Sequence, residues 1–186
     1  MAGKLIVNTG SMFSGKSTEL LRQGERHILA GKRVIYLKSA TDFRYKAGQV
    51  NTHSGRSYVA LKMDINKSIL TTDVLGADVV LIDEVQFFNE QINKDIQALI
   101  RMNKIVYVSG LDLASNGNPW ETTMYLMSIA DEVQKFKAVC CNCGADSYIS
   151  AKKIDTDSET IIDIGGYDKY MPLCRDCYSA WERFYT

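Results

Sequence analysis

The chain has 186 residues, of which 46% are hydrophobic and 24% are charged, a composition typical of one folded core with a small addition. Its 22 Lys and Arg residues are balanced by 22 Asp and Glu residues, so no bulk positive charge favours nucleic acid as a partner. No apolar stretch approaches a bilayer span, and the N-terminus lacks a signal-peptide pattern. We therefore expect a cytoplasmic protein with no membrane or nucleic-acid partner and with reduced thiols.

The first two-thirds of the chain alternate between apolar runs and helical patterns. Strands are predicted at residues 4–8, 33–38, 77–83 and 104–109, and helices at residues 16–30 and 89–102. The strand residues are apolar in near-continuous runs, which is typical of parallel strands covered by helices on both faces. The sequence therefore predicts an α/β fold with a doubly wound parallel sheet.

Residues 41–58 interrupt this alternation, because they are polar and have little periodicity. Two interpretations fit such a segment, a mobile loop over a site or a solvated connection. Further along, the sequence changes character near Val133, and all five cysteines follow. We predict a boundary at Lys137, with an α/β domain at residues 1–137 and a cysteine-containing domain at residues 138–186.

A phosphate-binding motif follows the first predicted strand. The segment from Gly10 to Ser17, GSMFSGKS, matches G-x-x-x-x-G-K-[ST], and a helical pattern follows it. The glycines allow backbone N–H groups to converge on phosphate oxygens, and the start of the helix adds its dipole. Lys16 supplies a positive charge to the end of a triphosphate, and Ser17 supplies a hydroxyl to Mg²⁺. The motif predicts binding of a nucleoside triphosphate.

Two adjacent carboxylates, Asp83 and Glu84, close the buried strand VVLID. Asp83 is placed to hold Mg²⁺, as in P-loop enzymes generally. Glu84 is a candidate base that accepts the proton of an attacking hydroxyl, and the alternative is that it caps the following helix. The predicted nucleotide-binding residues are Gly10, Ser11, Met12, Phe13, Ser14, Gly15, Lys16, Ser17, Asp83, Glu84, Val85 and Gln86.

Two C-x-x-C pairs, Cys140 with Cys143 and Cys174 with Cys177, have the spacing of a tetrahedral zinc site. Cys141 is then the spare cysteine, although a pairing of Cys141 with Cys143 remains an alternative. No neighbouring residue suggests an activated water, so we expect a structural Zn²⁺ that adds folding energy to a domain with little core.

These motifs, in this order, resemble the type II (zinc-containing) thymidine kinases. The resemblance covers most of the chain through GSMFSGKSTELLR, DEVQFF, LD…NPW, AVCCNCG and IGGYDKYMPLCRDCY. It implies a RecA-like core and a kinase that transfers the γ-phosphoryl of ATP, with Mg²⁺, to the 5′-hydroxyl of thymidine or deoxyuridine. The product, dTMP, would enter DNA synthesis by nucleotide salvage. The resemblance also implies feedback inhibition by thymidine triphosphate (dTTP) and a homotetramer.

The resemblance also assigns roles to residues that the motifs alone do not explain. Glu84 resembles the proton acceptor, and Ser150 matches a hydroxyl near the thymine methyl. A lasso-like loop would read the base edge through its backbone, and Arg44 and His53 match positions of a phosphate-side loop. The residues expected to bind the nucleoside are Met12, Arg44, Phe87, Leu111, Trp120, Ser150, Thr160, Ile161, Ile162, Asp163, Ile164 and Tyr170.

The chain departs from the family pattern at three positions. Ser115 stands where an aromatic residue is usual, and Trp120 replaces a phenylalanine, so a base-stacking contact is lost or replaced. Ser54 stands where an aspartate often follows the histidine of the flexible loop. We assign no role to His27, for which the sequence offers no partner.

Three competing functions remain at this stage. A DNA-dependent ATPase with a zinc-containing nucleic-acid reader would need clustered basic and aromatic residues, whereas Arg175 and Arg183 have acidic neighbours. A non-catalytic regulatory protein is disfavoured by the intact motif residues. A kinase of another small hydroxyl compound is separated only by a substrate screen.

Overall fold

The structure is a computed structural model that describes residues 2–40, 49–51, 57–153 and 165–185. In its first part the elements are β1 (Lys4–Gly10), α1 (Lys16–Leu29), β2 (Val34–Ser39), β3 (Gln49–Asn51), β4 (Ser57–Val59), β5 (Leu61–Met63), α2 (Thr72–Gly76), β6 (Val79–Asp83), a 3-10 helix (Val85–Phe87), α3 (Gln91–Arg101), β7 (Ile105–Gly110), α4 (Glu121–Ile129) and β8 (Glu132–Phe136). The remaining elements are β9 (Ala138–Val139), β10 (Asp146–Ser147), β11 (Ile149–Lys152), β12 (Tyr170–Leu173) and α5 (Arg175–Tyr185).

A six-stranded sheet in the order β5-β2-β6-β7-β1-β8 forms the centre of the first part. Each of its strand pairs is parallel, so the carboxyl ends of all six strands lie at one edge. Strand β1 pairs with β7 on one side and with β8 on the other. The loop that follows β1 therefore leaves the sheet from a position fixed on both sides.

Helices cover the sheet on both faces. Leu20 and Leu21 of α1 pack on one face against Ile6 and Leu81. The opposite face packs against α3 and α4, and its cluster includes Leu5, Val7, Ile92, Ile96, Leu99 and Leu126. Consecutive strand residues thus enter different clusters, which explains why the strands are apolar at almost every position. The predicted α/β class with a parallel sheet is confirmed.

The C-terminal part contains two small antiparallel strand pairs, β9–β10 and β11–β12, followed by α5. Its core is small and consists of Cys140, Ala151, Leu173 and Cys174, with Trp181 packed beside it. A core of this size supplies little hydrophobic stabilisation, which agrees with the expected need for a metal. The predicted boundary at Lys137 falls between β8 and β9, and the division into two domains stays a prediction.

The structure adds several elements that sequence patterns did not indicate. These are α2, α4, β8 and α5, and in the segment 41–58 it also describes the antiparallel pair β3–β4. The other residues of that segment lie outside the described residues, so its predicted mobility stays a prediction. Within the described part, no helix is long and apolar enough to cross a membrane.

Gly24 leaves room on α1 for a tyrosine of the sheet. A Cβ at this position would lie 1.9 Å from the hydroxyl oxygen of Tyr36 and 2.6 Å from its ring carbon Cζ. Tyr36 is 5% exposed in β2, so its ring has little freedom to move. Gly24→Ala is therefore expected to lower the free energy of unfolding by about 1–3 kcal/mol. The clash with Tyr36 should outweigh the higher intrinsic helix propensity of alanine.

Urea denaturation of the two proteins measures this change. Gly76→Ala is the matched control, because a Cβ on this helical glycine meets no atom within 4 Å. The control should leave stability unchanged or slightly raised. Equal effects of the two substitutions would contradict the steric account.

Candidate functional site

The glycine-rich loop after β1 has a shape that only a few residues accept. Gly10 has φ 133°, and a Cβ there would lie 2.2 Å from the backbone oxygen of Phe136 on β8. Gly15, at φ 92°, immediately precedes α1. Both values lie in a region that favours glycine. The loop thus turns back tightly over the edge of the sheet and leads directly into the positive end of a helix dipole.

Polar groups line this loop. Lys16 is 8% exposed, and its Nζ donates to the backbone oxygen of Ser11 at 2.7 Å. Ser14 Oγ is buried and has no hydrogen-bond partner among the described residues. A buried hydroxyl of this kind is normally hydrogen-bonded, so a ligand that carries acceptor oxygens would satisfy it. The cradle therefore fits the triphosphate of ATP, with Lys16 as its cation.

Ser17 and Asp83 come together although 66 positions separate them. Ser17 Oγ, at the start of α1, donates to Asp83 Oδ1 at 3.2 Å. Asp83 ends β6, is 6% exposed and also accepts a hydrogen bond from the backbone N–H of Glu84 at 3.1 Å. A hydroxyl and a carboxylate are hard oxygen ligands that suit Mg²⁺. The pair fits the predicted magnesium position, and that assignment stays a prediction.

Glu84 has a strained backbone. Its φ of 55° and ψ of 46° place it in the left-handed region, which costs a non-glycine residue on the order of 1 kcal/mol. Its side chain makes no capping hydrogen bond to the 3-10 helix that follows, so the capping interpretation gains no support. Instead, Glu84 Oε2 accepts a hydrogen bond from Gln86 Nε2 at 2.6 Å. Gln86 Oε1 in turn accepts from the backbone N–H of Leu111 at 3.1 Å.

The expected nucleoside residues form two groups in the described part. Phe87 and Trp120 lie with ring centroids 6.1 Å apart in an edge-to-face arrangement, and Leu111 is joined to Glu84 through Gln86. In the second group, Ser150 Oγ accepts a hydrogen bond from the backbone N–H of Met12 at 2.8 Å. Tyr170 is buried in β12, opposite Lys152 of β11. Arg44, His53, Ser54 and residues 160–164 lie outside the described residues.

Several residues near the site were missed by sequence reasoning. The ring of Tyr167 stacks on Phe13 of the phosphate loop, and the oxygen of Ser147 accepts from Ser11 Oγ at 3.3 Å. The buried Asp112 pairs with Lys135 at 2.7 Å. These contacts join segments that are distant in the sequence, and only the aromatic Tyr167 after two glycines offered a visible signal.

His27 has a partner that sequence did not reveal, since its Nε2 lies 3.2 Å from the hydroxyl of Tyr107. Burial lowers the pKa of His27, and Arg26 and Lys32 act in the same direction. Burial raises the pKa of Tyr107. Both groups are therefore neutral near pH 7, and their contact links α1 to β7.

The four predicted zinc ligands converge. The sulfur atoms of Cys140, Cys143, Cys174 and Cys177 all lie within 4.8 Å of one another, and the Cys143–Cys174 separation is 3.6 Å. A tetrahedral zinc with Zn–S bonds of about 2.3 Å requires sulfur separations near 3.8 Å, which this cluster approaches. Cys141 is exposed and stands outside the cluster. The geometry favours Cys140 over Cys141 and could hold a zinc ion.

Backbone hydrogen bonds favour the thiolate form of one of the four ligands, Cys140. Burial alone would raise the pKa of Cys140, but hydrogen bonds from the backbone groups of Cys174, Cys143 and Asn142 lower it to about 6. Thiolates are the form of cysteine that binds metal. The turn between the first two ligands is closed by Gly144, with φ 77°, whose N–H donates to the oxygen of Cys140 at 2.9 Å.

Three features define the class of this protein as a P-loop nucleotide-dependent phosphotransferase. They are the parallel sheet, the glycine-rich loop between β1 and α1, and the carboxylate that lies at the end of β6 beside the serine of the loop. Comparison with known proteins narrows this class. The thymidine kinase family model matches residues 3–178. A thymidine kinase of Pseudothermotoga lettingae is 41% identical over 180 residues, covering 96% of each chain. The chain belongs to the thymidine kinase family and is an ATP-dependent kinase.

A likeness to a solved structure concerns the fold alone. The flagellar accessory protein FlaH from Methanocaldococcus jannaschii has a TM-score of 0.51 over 72% of this chain and 71% of its own, with 14% sequence identity. The core that this chain shares with FlaH agrees with the parallel sheet predicted for a P-loop protein.

We expect one tightly held zinc per purified chain. Cys143→Ser should release this zinc, because three thiolates bind it much more weakly than four. Cys141→Ser is the control and should leave the zinc content unchanged, since Cys141 lies outside the cluster. Metal analysis by mass spectrometry measures both variants. Loss of zinc from the Cys141 variant would refute the ligand set and favour the C-x-C alternative.

Proposed function

We propose that this chain transfers the γ-phosphoryl group of ATP to the 5′-hydroxyl of thymidine, with Glu84 as the base. The observation that carries the proposal is the position of Glu84, one residue after Asp83 and joined through Gln86 to the loop of Leu111. The proposed base is thus linked by two hydrogen bonds to Leu111, one of the residues expected to bind the nucleoside. The strain at Glu84 supports a functional role, because such conformations persist mainly where a site requires them.

Different residues of the chain have separate roles in this reaction. The loop from Gly10 to Ser17 binds and orients the triphosphate, and Lys16 balances its negative charge. Ser17 and Asp83 would hold Mg²⁺, which supplies positive charge to the phosphate oxygens when bound. Glu84 accepts the proton of the 5′-hydroxyl as that oxygen attacks the γ-phosphorus, and the bond from the γ-phosphorus to the bridging oxygen of the β-phosphate breaks, which releases ADP. The hydrogen bond from Gln86 keeps the Glu84 carboxylate in place before the substrate arrives.

The remaining proposals follow from family membership. We propose that dTTP inhibits the enzyme by feedback, that the chain assembles as a homotetramer, and that it works in the cytoplasm. Zinc is proposed to be structural, because four cysteine ligands would fill its tetrahedral coordination and leave no position for a reacting water. Deoxyuridine is proposed as a second substrate, with dTMP or dUMP as products of nucleotide salvage.

Glu84→Gln should keep the fold and ATP binding but lower kcat by about a hundredfold to ten-thousandfold, as is usual when a general base is removed. Steady-state kinetics with thymidine and calorimetric ATP binding measure the two effects. Glu90→Gln is a matched control, because Glu90 is exposed and makes no capping hydrogen bond. Near-normal kcat in the Glu84 variant would refute the catalytic assignment.

Thymidine and deoxyuridine should both be substrates, and deoxycytidine should be poor. Thymine and uracil present the same hydrogen-bonding edge, while cytosine reverses two of its groups. Backbone groups of residues 160–164 are proposed to read this edge, and an unpaired buried group costs about 1–3 kcal/mol. The methyl of thymine changes only apolar area, a difference nearer 1 kcal/mol.

Phosphoryl transfer from ATP to a nucleoside panel, with products resolved, measures kcat/KM for each base. We expect deoxycytidine to be at least about tenfold worse than thymidine. Similar values for the two would refute the edge-reading model while leaving the kinase assignment intact.

A further inference from the structure

The C-terminal part contacts the phosphate loop directly through two serines. Ser150 Oγ of β11 accepts a hydrogen bond from the backbone N–H of Met12 at 2.8 Å. The backbone oxygen of Ser147 accepts from Ser11 Oγ at 3.3 Å. Ser147 and Ser150 are both buried. Because a buried backbone N–H without a partner is costly, Ser150 fixes the loop at Met12.

An aromatic stack makes a third contact. The rings of Phe13 and Tyr167 have centroids 3.6 Å apart and an interplanar angle of 10°. Phe13 has φ 64°, a left-handed conformation that is uncommon for an aromatic residue and costs about 1 kcal/mol or more. Such a conformation persists only when its surroundings hold it. The ring of Tyr167 is placed to hold Phe13, and 59% of Tyr167 remains exposed.

Hydrogen bonds and strand pairing connect these contact residues to the cysteine cluster. Ser147 Oγ donates to the backbone oxygen of Leu173 at 2.9 Å, and Leu173 precedes the ligand Cys174. Strands β11 and β12 pair antiparallel, with Ser150 opposite Pro172. Tyr167 lies in a turn before β12 that is closed by a hydrogen bond from the N–H of Tyr170 to the oxygen of Gly166, at 2.9 Å.

We propose that Ser150 and Tyr167 are positioning residues of the phosphate loop, and that through them metal binding at the four-cysteine cluster and ATP binding strengthen one another. The proposal rests on ATP binding at this loop, as in the proposed function. A metal at the cluster fixes β12 at Cys174, and β12 with β11 fixes the residues that hold Met12 and Phe13. ATP requires the same loop shape.

Because linkage is reciprocal, ATP must then retain the metal as strongly as the metal favours ATP. This consequence can be measured without any turnover. The Kd for zinc is measured by equilibrium competition with a chromogenic chelator, with and without a saturating, Mg²⁺-bound, non-hydrolysable ATP analogue. In the unmodified chain the analogue should lower the Kd for zinc by about fivefold or more, the lower end of typical coupling.

Tyr167→Ala tests the stack. The Kd for the analogue should rise about two- to tenfold, which is what loss of an aromatic pair produces, and the analogue should no longer lower the Kd for zinc to the same extent. Tyr167→Phe keeps the ring and should restore both properties. Tyr148→Ala is the control, because its ring faces Lys137 and Arg175 instead of the loop. It should leave both properties unchanged.

Ser150→Ala removes the acceptor for Met12 and should raise the Kd about fivefold or more, without loss of zinc from the free protein. Its analogue affinity is measured without nucleoside, so that an effect on the nucleoside pocket does not contribute.

The possible outcomes distinguish failure of the proposed function from failure of the proposed coupling. Failure of the unmodified chain to bind the analogue would overturn the proposed function together with this coupling. A chain that binds the analogue and zinc, but has the same Kd for zinc with and without the analogue, would overturn the coupling alone. Unchanged Kd values in both Tyr167→Ala and Ser150→Ala would overturn the positioning roles. A purified chain without zinc would overturn the metal assignment and the coupling.

Discussion

Strand β1 is buried on both faces and hydrogen-bonded on both edges, and this placement constrains the chemistry that follows it. Because β7 and β8 flank it in parallel register, the loop after Gly10 must emerge at the edge where β6 and β7 also end. The phosphate loop, Asp83 and the segment after β7 therefore meet without any long connection. The contact between Ser17 and Asp83 is a direct result of this geometry.

The same placement makes the loop difficult to hold in shape. Left-handed conformations at Gly10, Phe13 and Gly15 keep it compact, and only two of these three residues are glycines. The sheet supports the loop from below, where the buried Ser109 Oγ donates to the oxygen of Lys16 at 3.4 Å. Support from the other side comes from the C-terminal part. That part has a small core, so its rigidity depends on the cysteine cluster.

How much of this was readable from the sequence depends on whether a feature is local. Dense apolar runs and the P-loop motif predicted the strands that carry the site and the helices α1 and α3. The structure has these elements with boundaries within about two residues of the predicted ones, which is the usual uncertainty of such boundaries. The cysteine pairs likewise predicted the four sulfurs that meet. These motifs predicted the structure correctly because the residue types and spacing within each motif determine its local geometry.

Other elements gave no such signal. Strand β8 is an edge strand with the sequence EVQKF, in which every residue is exposed or half-buried, so it lacks the apolar run that marked the other strands. Helix α4 has apolar residues without a clear face in ETTMYLMSI, although Leu126 is fully buried. The contacts of Ser147, Ser150 and Tyr167 depend on how two separate parts of the chain pack. Such long-range contacts cannot be read from spacing.

Gln86 shows why a residue beside a predicted base matters as much as the base. A glutamine side chain can donate and accept at once, and here it donates to Glu84 and accepts from the N–H of Leu111. A glutamate could not donate to Glu84 at neutral pH, and its charge would oppose the neighbouring carboxylate. The space around the Gln86 amide depends on Gly110, where a Cβ would lie 3.0 Å from Gln86 Oε1. Orientation of Glu84 thus depends on the end of β7, and a substrate that moves the Leu111 loop also acts on the base.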